Sequence, residues 1–179
     1  MTVVAGIVTT KGIYFASDSI VAMSDTKLDI KTQKLIKLHN YIVGAAGNVE
    51  ISEFIRTLIA NKLIKRTIDS KFTIYDLVNE IKQNFQLVEN FTEIEDANIL
   101  IGCKNVLYQT SKMDNFCVLK VSTKFSAIGS GKDEATGAMY ALVNSGKYKP
   151  EYIVKTACKC AIQYNQTCGG KIVTRKIIF

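Results

Sequence analysis

The sequence predicts an α+β fold in four layers, an αββα sandwich in which two antiparallel sheets pack face to face between two layers of helices. Three observations carry that expectation. Paired β-rich runs with short polar connections open the chain, and two segments of helical periodicity follow. A second group of β-rich runs then leads into two more helical segments and a last strand.

Val3 to Thr10 and Ile13 to Asp18 are rich in β-branched and aromatic residues, and Lys11-Gly12 between them has the length of a hairpin connection. Ile20 to Gln33 alternates poorly and carries Asp25, Lys27 and Asp29, so it reads as an extended loop or a short strand pair leading to Lys34. Lys34 to Leu38 and Tyr41 to Ala46 form a second hairpin around His39-Asn40, which makes His39 a turn residue. Ile51, Phe54, Ile55, Leu58, Ile59 and Leu63 recur at intervals of three and four, one face of a helix. Asn48 precedes it as an N-cap, and Glu50 and Glu53 suit its positive end.

A second helix runs from about Thr73 to Val88 and buries Ile74, Leu77, Val78, Ile81 and Phe85. Asn98 to Cys103, Val106 to Thr110, Phe116 to Val121 and Phe125 to Ile128 read as a meander. Gly131 to Asn144 and Pro150 to Tyr164 are two further helices, with Pro150 suited to a first turn. Lys171 to Ile178 closes the chain as a strand. No linker, repeat or low-complexity stretch interrupts the 179 residues, so one domain spanning 1–179 is expected.

A hydrophobic fraction of 47% and a charged fraction of 22% are ordinary for a soluble globular chain. No run approaches the roughly eighteen apolar residues of a membrane span. The N-terminus lacks a basic segment ahead of an apolar one and a small-residue cleavage site, so it reads as a first strand rather than a secretory signal. A cytoplasmic location is expected. The five cysteines, Cys103, Cys117, Cys158, Cys160 and Cys168, are then not expected to form disulfides. Cys158 and Cys160 point to different sides of a helix with no His nearby, so no metal site is expected. The net charge of +7 would invite nucleic acid, but three of the 23 basic residues are arginine, the side chain best suited to bidentate phosphate and base contacts. The charges are scattered as well, and nucleic-acid binding is not expected.

Three polar positions break the apolar pattern at the start: Thr2, Asp18 and Lys34, sixteen residues apart. Trimming Met1 would make Thr2 the N-terminal residue and supply a nucleophile and its base together. A free α-amine has a pKa of about 7.7–8.0 and can take the proton of its own threonine hydroxyl without a histidine. A lysine folded against Thr2 would favour the alkoxide and the neutral amine, and an aspartate would hold and balance that lysine. Each residue alone has an ordinary explanation as a turn or surface group; the argument rests on the three together. Gly129-Ser130-Gly131-Lys132 is no phosphate loop, because Ser126 and Asp133 stand where the full pattern needs Gly and Ser or Thr.

The order Thr2, then Ser17-Asp18-Ser19, then Lys34 at a strand start resembles the β-type proteasome subunits and the bacterial HslV peptidase. Gly44-Ala45-Ala46-Gly47, Ala127-Ile128-Gly129-Ser130-Gly131 and Cys168-Gly169-Gly170 agree with it, so the resemblance spans nearly the whole chain. It implies the N-terminal nucleophile hydrolase fold and a threonine-type endopeptidase subunit of a self-compartmentalising protease. That enzyme would act on unfolded polypeptide, need no cofactor, and form a homo-oligomeric ring with an ATP-dependent unfoldase as partner. Under the resemblance Ser130 lies beside the Thr2 amine, although it could equally cap the third helix, and the Gly47 N–H stabilises the oxyanion. Ala45 floors the substrate pocket, with Val21, Ile36 and Val49 as its walls.

Asn165 and Cys168 occupy further site positions where the family's core-particle subunits carry Asp and Ser. Asn lacks the charge and a thiol is a weak donor, so a slower or silent site is implied. Two other functions remain beside the peptidase: a catalytically silent ring or scaffold subunit, and an N-terminal nucleophile amidohydrolase for small amides. No helical extension of the kind found in silent α-type subunits precedes the first strand, and Lys34 with Gly-Ser-Gly fits the peptidase better than the amidohydrolase.

Overall fold

The structure, a computed structural model, describes residues 2–23, 26–28, 33–63, 67–69, 73–86 and 97–179. The first hairpin pairs β1 (Val3–Thr9) with β2 (Gly12–Ser17), and the second pairs β5 (Leu35–Leu38) with β6 (Tyr41–Gly47). Between them lies a ribbon of β3 (Val21–Met23) and β4 (Thr26–Leu28). Helices α1 (Val49–Leu63) and α2 (Ile74–Gln86) precede β7 (Ala97–Cys103), β8 (Val106–Ser111), β9 (Leu119–Lys120) and β10 (Phe125–Gly129). Helices α3 (Lys132–Ser145) and α4 (Pro150–Tyr164) lead to β11 (Val173–Ile178). One sheet has the order β10-β1-β2-β11 and the other β5-β6-β7-β8-β9, with neighbouring strands antiparallel in both.

The two-residue period of a strand explains how β1 serves two layers at once. Val3, Ala5 and Ile7 face α3 and α4, packing with Ala135, Met139, Val154 and Ala157. Val4 and Val8 face the other sheet and meet Leu35, Ile42, Leu100 and Leu107. The outer face of that second sheet, with Tyr41, Val43, Ile99 and Ile101, is covered by Ile55 and Ile59 of α1 and by Leu77, Val78 and Ile81 of α2. The four expected layers are therefore present. The sheets approach closely around Phe15, whose ring lies where a Cβ on Gly6 or Gly102 would stand 2.8 or 2.7 Å away.

Several local expectations need correction. The first hairpin turns through Thr10-Lys11, not Lys11-Gly12, because Gly12 already pairs with Thr9. The expected strand Phe116 to Val121 shrinks to Leu119–Lys120. Asp114 donates its N–H to the Ser111 hydroxyl, which donates to the Asp114 carboxylate, and Asn115 and Phe116 take left-handed φ values of 52° and 57°. That turn is incompatible with an extended Phe116. Helix α2 begins after Thr73, whose hydroxyl accepts the Asp76 N–H while Asp76 accepts the Thr73 N–H, a reciprocal cap. The side chains of Ile51, Leu63 and Phe85, Val88, and most of the segment before Lys34 lie outside the described residues.

Candidate functional site

Asp18 leaves β2 at its end and is fully buried, so its carboxylate must be satisfied by the fold. Oδ1 accepts the Val3 N–H at 3.0 Å and the Lys34 ammonium at 2.7 Å. Oδ2 accepts the Gly169 N–H at 3.2 Å, and the Asp18 N–H donates to Val3 O at 3.3 Å. One carboxylate thus ties together the residue after Thr2, a lysine at the mouth of β5 and the loop before β11. Lys34 also donates to Ile20 O at 2.5 Å, so among the described residues two of its three protons are engaged and one remains. Its side chain is 6% exposed, and burial holds its pKa below the usual lysine value against the opposing pull of Asp18. A lysine so placed is a buried positive charge with a reduced hold on its proton.

Thr2 is buried where β1 begins, and its nitrogen, a peptide nitrogen because Met1 precedes it, stands where an α-amine would be after Met1 is removed. That N–H donates to Ser130 Oγ at 3.2 Å, and the Gly131 N–H donates to Thr2 O at 3.3 Å. Gly129 has φ +93°, and a Cβ there would lie 2.1 Å from Thr2 O, so the approach of this loop to Thr2 requires glycine. Ser130 does not cap α3: the N-cap is Gly131, with no side-chain cap bond, and the Ser130 hydroxyl turns toward Thr2, Thr167 and Cys168 instead.

Asn165 ends α4 with every amide hydrogen-bonding position used. Nδ2 donates to Ser130 O at 2.9 Å and to Glu134 Oε1 at 3.2 Å, while Oδ1 accepts the Thr167 N–H and hydroxyl at 3.1 and 2.6 Å. Cys168 Sγ is 3.9 Å from Ser130 Oγ, and burial, with the Asp18 charge second, raises its pKa. It is a protonated thiol here, not a thiolate.

The structure brings Thr2, Asp18, Lys34, Ser130, Asn165 and Cys168 into one bonded network. Gly47 ends β6 at φ +125°, turning the strand toward α1. Ala45 is buried, and its N–H bonds Lys34 O at 3.2 Å, which fixes it beside the lysine backbone. Ile36 packs partly buried against the cluster under α1 and α2. The side chains of Val21 and Val49 lie outside the described residues. Sequence reasoning missed Thr167 and Glu134. The Asn-x-Thr spacing, which lets an Asn side chain accept the N–H two residues on, was the available signal for Thr167; nothing local marks Glu134. Among the described residues, no group of three or more His, Cys, Asp or Glu side chains is disposed to hold a metal, and no helix is long and apolar enough to cross a membrane.

No family profile and no curated protein matches the sequence. Solved structures do match along its full length. BPH from Thiobacillus denitrificans, in complex with epoxomicin, superposes with a TM-score of 0.81 at 18% identity, covering 98% of each chain. Eukaryotic HslV from Trypanosoma brucei gives 0.79 at 15% identity over 99% of each. Anbu, described as an ancestral beta-subunit, from Yersinia bercovieri gives 0.72 at 15% identity over 97% of this chain and 80% of its own. What is shared at such identities is the architecture: this chain has the proteasome-like N-terminal nucleophile hydrolase fold.

Proposed function

We propose that this chain, as one domain over 1–179, is a threonine-type endopeptidase subunit whose nucleophile is Thr2 after removal of Met1. The observation that carries the reading is the Asp18 carboxylate, which joins the Val3 N–H and the Lys34 ammonium and so fixes a buried cation next to the nucleophile's own backbone. In the reaction the Thr2 hydroxyl gives its proton to the α-amine as Oγ1 bonds to the substrate carbonyl carbon. The remaining Lys34 proton favours the developing alkoxide, and the Gly47 N–H receives the oxyanion, a contribution of roughly 2.7–4 kcal/mol for one preorganised donor. The ammonium then protonates the leaving nitrogen, the C–N bond breaks and an ester on Thr2 remains. Water attacks that ester, delivers a proton to the amine and restores the hydroxyl.

Asn165 and Cys168 act by position: the amide orders the Ser130 loop, and the thiol lies against the Ser130 hydroxyl. Ala45, with Ile36, Val21 and Val49, forms the substrate pocket. Unfolded polypeptide is the proposed substrate, with a cytoplasmic homo-oligomeric ring confining the nucleophile and an ATP-dependent unfoldase feeding it. The beta-subunit description of a structural neighbour supports a subunit role.

Epoxomicin, which a structural neighbour binds, is the natural probe. Intact mass should show loss of Met1 and one epoxomicin adduct, absent in Thr2→Ala. Retained Met1 with no adduct would leave a silent ring subunit. Turnover of small acyl-amides but not of unfolded casein would make the chain an amidohydrolase instead.

A further inference from the structure

Hydrogen-bond polarity can be assigned outward from Asn165. Thr167 N–H can only donate, so the Asn165 atom facing it is Oδ1, and Nδ2 faces two acceptors, Ser130 O and the Glu134 carboxylate. The Thr167 hydroxyl lies 2.6 Å from Oδ1 and spends its one proton there. Thr167 Oγ1 must then accept from Ser130 at their 2.7 Å contact. With its proton committed to Thr167, Ser130 Oγ presents lone pairs to the Thr2 nitrogen at 3.2 Å. The weaker 3.3 Å alternative, Ser130 donating to Thr2 O, would use the same proton and is displaced.

Glu134 terminates this chain. A carboxylate in the first turn of a helix suits the helix dipole from an exposed position. Glu134 instead turns Oε1 to Asn165 and leaves Oε2 buried without a hydrogen-bond partner among the described residues, an expensive arrangement for a charge with only a structural duty. Its field also reaches Cys168, where it is among the influences raising the thiol.

We propose that Glu134 is a positioning residue for the Thr2 amine: its carboxylate accepts from the Asn165 amide at the head of the hydrogen-bonded run Asn165, Thr167, Ser130, and its negative charge opposes the Lys34 ammonium so that the amine keeps its affinity for the hydroxyl proton. Asn165, an uncharged amide, transmits order but supplies no charge; Glu134 supplies it. The inference rests on the threonine-nucleophile reading.

The test is the pKa of the Thr2 α-amine, read by NMR in threonine-labelled chain beginning at Thr2. Glu134→Gln should lower it by roughly half a pH unit, the scale of one charge acting through several bonded groups, and Glu134→Asp should stay within about 0.2 unit of the parent. The acid limb of kcat/KM on a fluorogenic peptide should move down with the amine. Thr167→Val, which cuts the chain without touching the carboxylate, should lower the amine pKa in the same direction. An unmoved amine in a folded Glu134→Gln protein, or equal shifts for Gln and Asp, overturns the proposal. Because the amine is titrated directly, a protein that shows these shifts but hydrolyses nothing refutes the peptidase reading and leaves the relay standing.

Discussion

Replacing Asp18 by Asn is the sharpest test of how the centre of this fold is held. The substitution keeps shape and removes one charge and one acceptor. Its amide must either turn Nδ2 toward the Gly169 N–H, donor against donor, or toward Val3 N–H and the Lys34 ammonium, which is worse. In either orientation Lys34 keeps the Ile20 carbonyl and loses its counter-charge. Both side chains are nearly sealed from water, at 0% and 6% exposure, so solvent cannot screen the loss.

Breaking a buried pair by removing one partner costs about 3–5 kcal/mol. At about 2–4 °C per kcal/mol for a chain of this size, the melting temperature should fall by roughly 6–20 °C. Calorimetry at pH 7 measures it. The sign with pH is fixed too. Burial already lowers the Lys34 pKa, and without Asp18 it falls further. The variant's folded state therefore holds fewer protons than its unfolded state, its stability rises with pH, and the gap to the parent narrows toward pH 9.5. Asp18→Asn combined with Lys34→Met should recover part of the loss, because two neutral groups replace an orphaned cation. A single variant within about 1 kcal/mol of the parent, or a double variant no better than the single, would refute the reasoning.

Two further outcomes follow from packing. A methyl group at position 102 would stand 2.6 Å from Ile13 Cγ2 and 2.7 Å from the Phe15 ring, so Gly102→Ala should cost about 1–3 kcal/mol in urea unfolding; an unchanged midpoint would mean that the two sheets separate freely. Burial raises the pKa of Cys158 and Tyr41, which keep their protons when folded and lose them near 9.0 and 10.0 when unfolded. Their stabilisation is complete below those values and declines as pH rises past them, with Lys34 acting in the opposite sense over the alkaline range. Melting temperature should therefore drop from pH 9 to 10.5, and Cys158→Ala should flatten the fall of unfolding free energy by up to about 1.4 kcal/mol per pH unit; an unaltered slope would contradict the assignment.

Much of the layered fold could be read from residue patterns because β1, β2, β6 and β7 carry dense apolar runs and α2 a regular apolar face. Which face of β1 served which layer could not, since Val3 through Val8 are apolar on both sides and alternation gives no polarity. The third strand of the meander failed for a different reason. Apolar Phe116 suggested extension, but Ser111 and Asp114 bond each other and their neighbouring backbone, and that local chemistry decided the turn. At the site, Thr2, Asp18 and Lys34 were readable as an ordered set. Glu134 was not, because its significance lies in a contact with Asn165, 31 positions away, that no short pattern encodes.

The bonds that assemble the proposed site span most of the chain: Thr2 meets Ser130 across 128 positions, and Gly169 meets Asp18 across 151. Sequence separations of that size make closure slow relative to local helix and hairpin formation. As the polypeptide is synthesised, Thr2, Asp18 and Lys34 precede the loops that bond the Thr2 nitrogen and clamp the aspartate. Under the threonine-nucleophile proposal, a nascent chain thus carries Thr2 without the surroundings that would activate it. On that proposal, topology postpones reactivity until the loop before the last strand has closed on Asp18.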